Sequence, residues 1–299
     1  MNIAYLISAH NDAPHLRRLI DALPREAEIF VHIDAKADIK PFLEAVSLPN
    51  VHFIEQRYNI MWGSFMQVKY QMALIKAALS SGRKFEYLFS VSGLDYPLWS
   101  ADRIMTFLQE NKGKEFLWAT CLTTKDKTET RLYREYRFLN NYCWPYGTLK
   151  SKFRVALRHI VSAMGIHKPL VVSLHGKDCP LYKGGSWWGI SAALARTALD
   201  VYEHEEQFTA YFKNAFAPDE TFIHTIAMNS EFAQQSTLIN DHSKLEHLSP
   251  LTYIEYGDEI KVFTEQDYNT LMNSDKMFCR KTVTGISDKL LDMIDEKIK

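Results

Sequence analysis

Residues 2–8 form a near-continuous apolar run, which predicts a strand buried on both faces of a sheet. The polar turn Ala9-His10-Asn11-Asp12 ends it. Leu16, Leu19, Ile20 and Leu23 then recur at helical spacing until Pro24 stops them. The alternation continues with a strand at 28–33 before Asp34-Ala35-Lys36, a short helix near 39–46 and a strand at 51–54. A long, mostly apolar helix over 65–79 follows, then a strand at 85–91, a helix around 104–108 and a strand at 115–119. Strands alternating with helices predict an α/β fold with a doubly wound, mostly parallel central sheet flanked by helices. Farther along, the pattern predicts helices over 150–164, 192–212, 265–273 and 286–298, and a short strand at 253–256.

A sheet of this kind binds ligands outside the carboxyl ends of its strands. The polar residues His10, Asp12, Asp34 and Asp95 fall there, although turn formation alone would also account for each. No Gly-x-Gly-x-x-Gly follows the first strand and no P-loop motif occurs, so dinucleotide and P-loop chemistry lose their main support.

Composition narrows the class further. The 299 residues are 46% hydrophobic and 24% charged, as in a globular chain with room for a sizeable core. A net charge of −1 nominates no nucleic-acid partner. The four cysteines, Cys121, Cys143, Cys179 and Cys279, show no metal-binding spacing, so free thiols in a reducing compartment are expected. No signal peptide and no apolar run long enough to cross a bilayer are found.

Three local patterns carry candidate chemistry. From Tyr136 to Lys177 the chain has no Asp or Glu but carries Arg137, Lys150, Lys152, Arg154, Arg158, Lys168 and Lys177. Within it, Phe153, Leu157, Ile160, Val161 and Met164 share one helical face, so 150–164 is a basic amphipathic helix. Such a helix either covers the core in the ordinary way or faces an anionic surface, lipid or acidic glycan. In Gly184-Gly185-Ser186-Trp187-Trp188, the glycines permit close backbone approach to a ligand. Adjacent tryptophans in an extended segment point to opposite sides, so at most one belongs to the core and the other can line a cleft. Pro218-Asp219-Glu220 reads as a helix start, with Asp219 as its cap and Glu220 free to serve as a base.

Taken in order, segments 4–10, 31–36, 92–98, 184–191, 218–225 and 277–281 resemble the core-2/I-branching β-1,6-N-acetylglucosaminyltransferases, a family that also contains the peptide O-xylosyltransferases. The resemblance spans nearly the whole chain. It implies a GT-A-like nucleotide-diphospho-sugar transferase fold in one domain over 1–299, with a nucleotide-binding half over 1–120 and an acceptor-binding, catalytic half over 121–299. It also implies an inverting transferase that takes a sugar, GlcNAc in preference to xylose, from a UDP-sugar and passes it to a glycan or glycolipid hydroxyl. Glu220 maps onto the family's catalytic base. The family replaces a metal with basic side chains at the diphosphate, so no metal and no cofactor are expected. Lys281 maps onto one of these cations, and Lys261 or Arg280 onto the second. His10, Asp34 and Trp62 map onto the uridine side of the donor, with Asp95 toward its sugar. Gly185, Ser186, Trp187 and Trp188, with Tyr253 and Tyr256, are placed at the acceptor. Eukaryotic members carry an N-terminal membrane anchor and a disulfide-stapled stem, whereas this chain opens at its first strand. The expectation is a cytoplasmic enzyme of bacterial type, soluble or peripheral on the inner membrane face through 150–164. It would act on precursors of a surface polysaccharide or glycolipid.

The chemistry fits these residue types independently. Single displacement at an anomeric carbon needs one carboxylate to accept a proton and positive charge to stabilise the leaving group, with no protein nucleophile. The alternatives are a UDP-xylose-dependent transferase, a nucleotide-dependent enzyme of another class, and a non-catalytic carbohydrate-binding protein on the same scaffold.

Overall fold

The computed structural model describes residues 1–236 and 249–299. The first half builds β1 (Ile3–Ala9), α1 (Ala13–Ala22), β2 (Glu28–Ile33), α2 (Lys40–Ala45), β3 (Val51–Phe53), α3 (Met66–Ser80), β4 (Tyr87–Ser92), β5 (Asp95–Pro97) and α4 (Ala101–Glu110). The middle adds β6 (Thr120–Cys121), α5 (Leu149–Ala163), β7 (Val171–Leu174), β8 (Lys177–Pro180), β9 (Tyr182–Lys183), β10 (Gly189–Ser191), α6 (Ala192–His204) and α7 (Glu206–Phe212). The last part holds α8 (Phe222–Met228), β11 (Thr252–Ile254), α9 (Tyr268–Met272), β12 (Phe278–Arg280) and α10 (Asp288–Ile298).

The central sheet runs β10-β4-β1-β2-β3, parallel except for β10. Alternate residues of β1 feed two cores, as strand geometry requires. Ala4 and Leu6 pack with α3, α6, α7 and α8 on one face. Ile3, Tyr5 and Ile7 pack with α1, α4 and α10 on the other. This is the mostly parallel sheet between helical layers that the apolar runs predicted. In register, Ser8 stands beside Ser92 and Ala9 beside Ile33, so β1, β2 and β4 end level with one another. A second sheet, β11-β12-β5, lies at that end of the first and sets Arg280 directly across from Asp95.

Some boundaries differ from the sequence pattern. The expected strand at 115–119 is reduced to single bridges at Glu115 and Phe116. The Glu115 carboxylate accepts from the Ser191 amide and hydroxyl at 2.7 and 2.5 Å, tying this segment to β10 instead of extending a ladder. Helix 192–212 breaks at Glu205, and helix 265–273 opens with a tight turn held by a Thr264–Asp267 capping box. The four cysteines are free thiols. Among the described residues, no helix is long and apolar enough to cross a membrane.

Candidate active site

The carboxyl ends of β1, β2 and β4 open into a cleft of about 240 Å³. Ser8 and His10 enter it from β1, Asp34 from β2, and Ser90 and Ser92 from β4. Asp34 is buried and caps its own turn, accepting from the Lys36 amide at 2.9 Å and pairing with the Lys36 ammonium at 3.3 Å. Desolvation draws the His10 imidazole below its ordinary pKa, against the pull of Asp34. Trp62 stands on the rim, 72% exposed, with its ring edge-on to Phe216.

The other wall comes from the second half of the chain: Ser186, Trp187, Asp219, Glu220 and Arg280. Arg280 is held from two sides. It donates to Asp95 Oδ1 at 3.0 Å, and its guanidinium lies 5.0 Å from the Trp187 ring centroid. Asp95 is fully buried and also accepts from the Ser92 amide at 2.8 Å. Burial raises the Asp95 pKa, and Arg280 works against that rise. Asp95 therefore does not line the cleft as expected. It anchors the arginine that does.

The Pro218–Glu220 segment is a single tight turn, entered through Ala217 in the left-handed region at φ 40°. Asp219 does not cap a helix, contrary to the sequence reading. Its buried carboxylate accepts from Ser186 Oγ at 2.5 Å and from Gln67 Nε2 at 2.9 Å, joining α3 to the Gly-Gly-Ser-Trp-Trp segment. Burial, then the adjacent Glu220, push the Asp219 pKa up to about 7. The turn frees Glu220 to face the cleft, where its carboxylate lies 3.1 Å from the ammonium of Lys183. The Glu220 carbonyl accepts from the Gly184 amide at 2.8 Å, so backbone and side chain are both fixed against β9. Only glycine fits at 184, because a Cβ there would stand 2.2 Å from both the His224 ring and the Trp118 carbonyl.

Several predicted residues lie elsewhere. Trp188 is 1% exposed and belongs to the core, so of the two tryptophans only Trp187 reaches the cleft. Gly185 is buried beside it and does not line the cleft. Lys261 is engaged at the surface by Glu255 at 3.2 Å and Asp267 at 2.8 Å and does not line the cleft. Lys281 is absent from the cleft lining, whereas its neighbour Arg280 is part of it. Tyr253 and Tyr256 line a separate groove with Trp118 and Lys276. Lys183 and Gln67 escaped the sequence reading. A lysine before two glycines looks like a surface residue, and the only signal for Gln67 was an amide near the start of an apolar helix. Among the described residues, no three His, Cys, Asp or Glu side chains gather as metal ligands.

Residues 3–256 match the model of the Core-2/I-Branching enzyme family. The chain belongs to this family. It is 23% identical over 322 aligned residues to a bovine (Bos taurus) β-1,3-galactosyl-O-glycosyl-glycoprotein β-1,6-N-acetylglucosaminyltransferase, covering 99% of this chain and 69% of the relative. It is 22% identical over 320 residues to xylosyltransferase 2 of Rattus norvegicus, covering 99% of this chain and 33% of that one. Against the xylosyltransferase sqv-6 of Caenorhabditis briggsae, identity is 23% over 71% of this chain, which spans only 24% of that relative's length. Among solved structures, S. aureus TarS 1–349 in complex with UDP aligns over 100% of this chain and 70% of its own, at 12% identity and a TM-score of 0.37. In this member of the Core-2/I-Branching family, the glutamate of the Pro-Asp-Glu turn and a braced arginine share one cleft.

Proposed function

We propose that this chain is an inverting glycosyltransferase that moves GlcNAc from UDP-GlcNAc to a hydroxyl of a glycan or glycolipid by metal-independent single displacement. The observation that carries this reading is the presence of Glu220 and Arg280 in one cleft at the carboxyl edge of the sheet. Glu220 accepts the proton of the acceptor hydroxyl. The acceptor oxygen attacks the anomeric carbon from the side opposite UDP, and the bond from that carbon to the phosphate oxygen breaks. The configuration inverts, and the electron pair leaves with UDP. Arg280, held by Asp95 and Trp187, stabilises the charge on the departing diphosphate. Lys281 lies next in the chain and would add at most longer-range charge. His10, Asp34 and Trp62 receive the uridine, with the Asp34 carboxylate accepting from the nucleoside. Ser186 and Trp187 border the sugars, the indole offering an apolar face to a ring.

The bovine relative is an N-acetylglucosaminyltransferase, which supports GlcNAc, and the xylosyltransferases that match at similar identity make UDP-xylose the alternative donor. We place the reaction in the cytoplasm at the inner membrane face, on precursors of a surface polysaccharide or glycolipid. Transfer measured against UDP-GlcNAc, UDP-xylose, UDP-glucose and NAD tests the reading. Turnover with UDP-GlcNAc that persists in EDTA supports it. Turnover only with UDP-xylose, no turnover with any UDP-sugar, or loss in EDTA restored by Mn²⁺ contradicts it.

A further inference from the structure

Helix α5 leaves much of its apolar face off its own protein. Apolar spacing along it would ordinarily turn Phe153, Ile160 and Met164 toward the core. Instead these three are 59%, 58% and 68% exposed, and Leu149 is 85% exposed. The side packed on the protein is mixed, with Ser151 buried and Arg154, Leu157, Arg158 and Val161 half-buried. Arg154 donates to the Tyr142 carbonyl at 3.2 Å, and desolvation lowers the Arg158 pKa. Among the described residues, eight of the thirteen exposed large hydrophobic side chains fall between Tyr142 and Ile166. Of these, Leu149, Phe153, Ile160 and Met164 share one side of α5 at helical spacing and make a patch, in contrast to the scattered apolar residues of an ordinary surface.

The rim of the patch is cationic. Lys150 and Lys152 are exposed on α5 itself. Beside its C-terminal turn lies a cavity of about 250 Å³ lined by Lys127, Arg131, Arg134, Glu135, Ser162 and His167. The one acid there, Glu135, is already paired with Arg131 at 2.9 Å and Arg137 at 3.0 Å. No Asp or Glu occurs anywhere from 136 to 177.

From this we infer that the exposed face of α5 lies in the plane of an anionic lipid surface, with Leu149, Phe153, Ile160 and Met164 among the acyl chains. The cations around the 127–134 cavity then meet the headgroup phosphates. A second copy of this chain would bring cations against cations across the same patch. An anionic bilayer supplies both an apolar layer and negative charge at the right side of it. Lipid binding does not depend on the transfer reaction, so the two are read by separate assays.

The test is co-sedimentation of the full chain with vesicles rich in phosphatidylglycerol and with vesicles of phosphatidylcholine alone. Wild type is expected to pellet with the anionic vesicles, to be released by salt, and to stay in solution with the neutral ones. Phe153→Asp with Ile160→Asp is expected to weaken partition by about 100-fold or more, from the apolar area withdrawn. Lys150→Glu with Lys152→Glu is expected to weaken it by about tenfold or more. All four positions are exposed, and an unchanged melting temperature confirms that the variants fold. Equal binding to both vesicle types, or undiminished binding by the aspartate pair, would overturn the inference. So would a dimer of wild type that the aspartate pair dissolves, or pelleting that requires an added acidic protein.

Discussion

The Lys183 ammonium stands 3.1 Å from the Glu220 carboxylate, on a side chain only 7% exposed. Lys183 also donates to the Gly184 carbonyl at 3.1 Å, so β9 holds the proposed base by charge and by geometry. Lys183→Met should therefore cost catalysis more than donor binding. The expected outcome is a fall in kcat of about 10²-fold with little change in the KM for the UDP-sugar. An unchanged kcat would leave Lys183 a packing residue.

The neighbours Arg280 and Lys281 are separated by their surroundings. Arg280 lines the cleft, braced by Asp95 and Trp187, and Lys281 does not. Arg280→Ala is expected to lower kcat by about 10² to 10³-fold, as loss of a charge-stabilising donor does. Lys281→Ala is expected to stay near wild type. Asp95→Asn tests the brace: it leaves Arg280 in place but unpaired, and should lower kcat in part while also lowering the melting temperature. Steady-state kinetics with UDP release as the signal read all three, and a reversed order for Arg280 and Lys281 would return the clamp to Lys281.

Two buried groups set opposing pH dependences of stability. His224, fully buried, is lowered to about 3, first by burial and then by Lys183. The folded state thus binds that proton less readily than the unfolded state, and stability is lost as pH falls from 6.5 toward 3. Asp219 is raised from 3.8 to about 7, so its carboxyl proton is held more tightly in the folded state. Its contribution is present below 3.8 and lost as pH rises toward 7. Asp219→Asn should flatten the decline on the approach to neutrality and leave the acid limb in place. Urea denaturation across this range checks it, and an unaltered profile would assign the neutral limb to another group.

Much of this was legible in the residues, and the exceptions share a cause. The runs at 2–8, 28–33 and 85–91 are β1, β2 and β4 with small shifts at their ends, because strands buried on both faces leave a continuous apolar signature. His10 and Asp34 reach the cleft because strand ends point there. Glu220 faces it too, but its neighbour Asp219 does not do the capping that the sequence pattern predicts. Asp219 looked like a cap, and its partners come from Gln67, 152 positions away, and Ser186, 33 away. Periodicity carries no information on such contacts. The Trp187-Trp188 pair shows the same limit, since alternation says the rings diverge but not which one the core takes. On α5 the period groups Phe153, Leu157, Ile160, Val161 and Met164, but only Leu157 and Val161 are half-buried, because which edge of the face packs depends on the neighbours of the helix.

Glu220→Gln is the most direct test of the proposed chemistry, with transfer from UDP-GlcNAc and UDP affinity measured on the same preparation. Replacing the carboxylate by an amide of equal shape removes the proposed proton acceptor and leaves Arg280, His10 and Asp34 intact. Turnover should fall by about 10³-fold or more, while UDP binds within about twofold of wild type. Turnover retained at the wild-type rate, with UDP bound normally, would contradict Glu220 as the base.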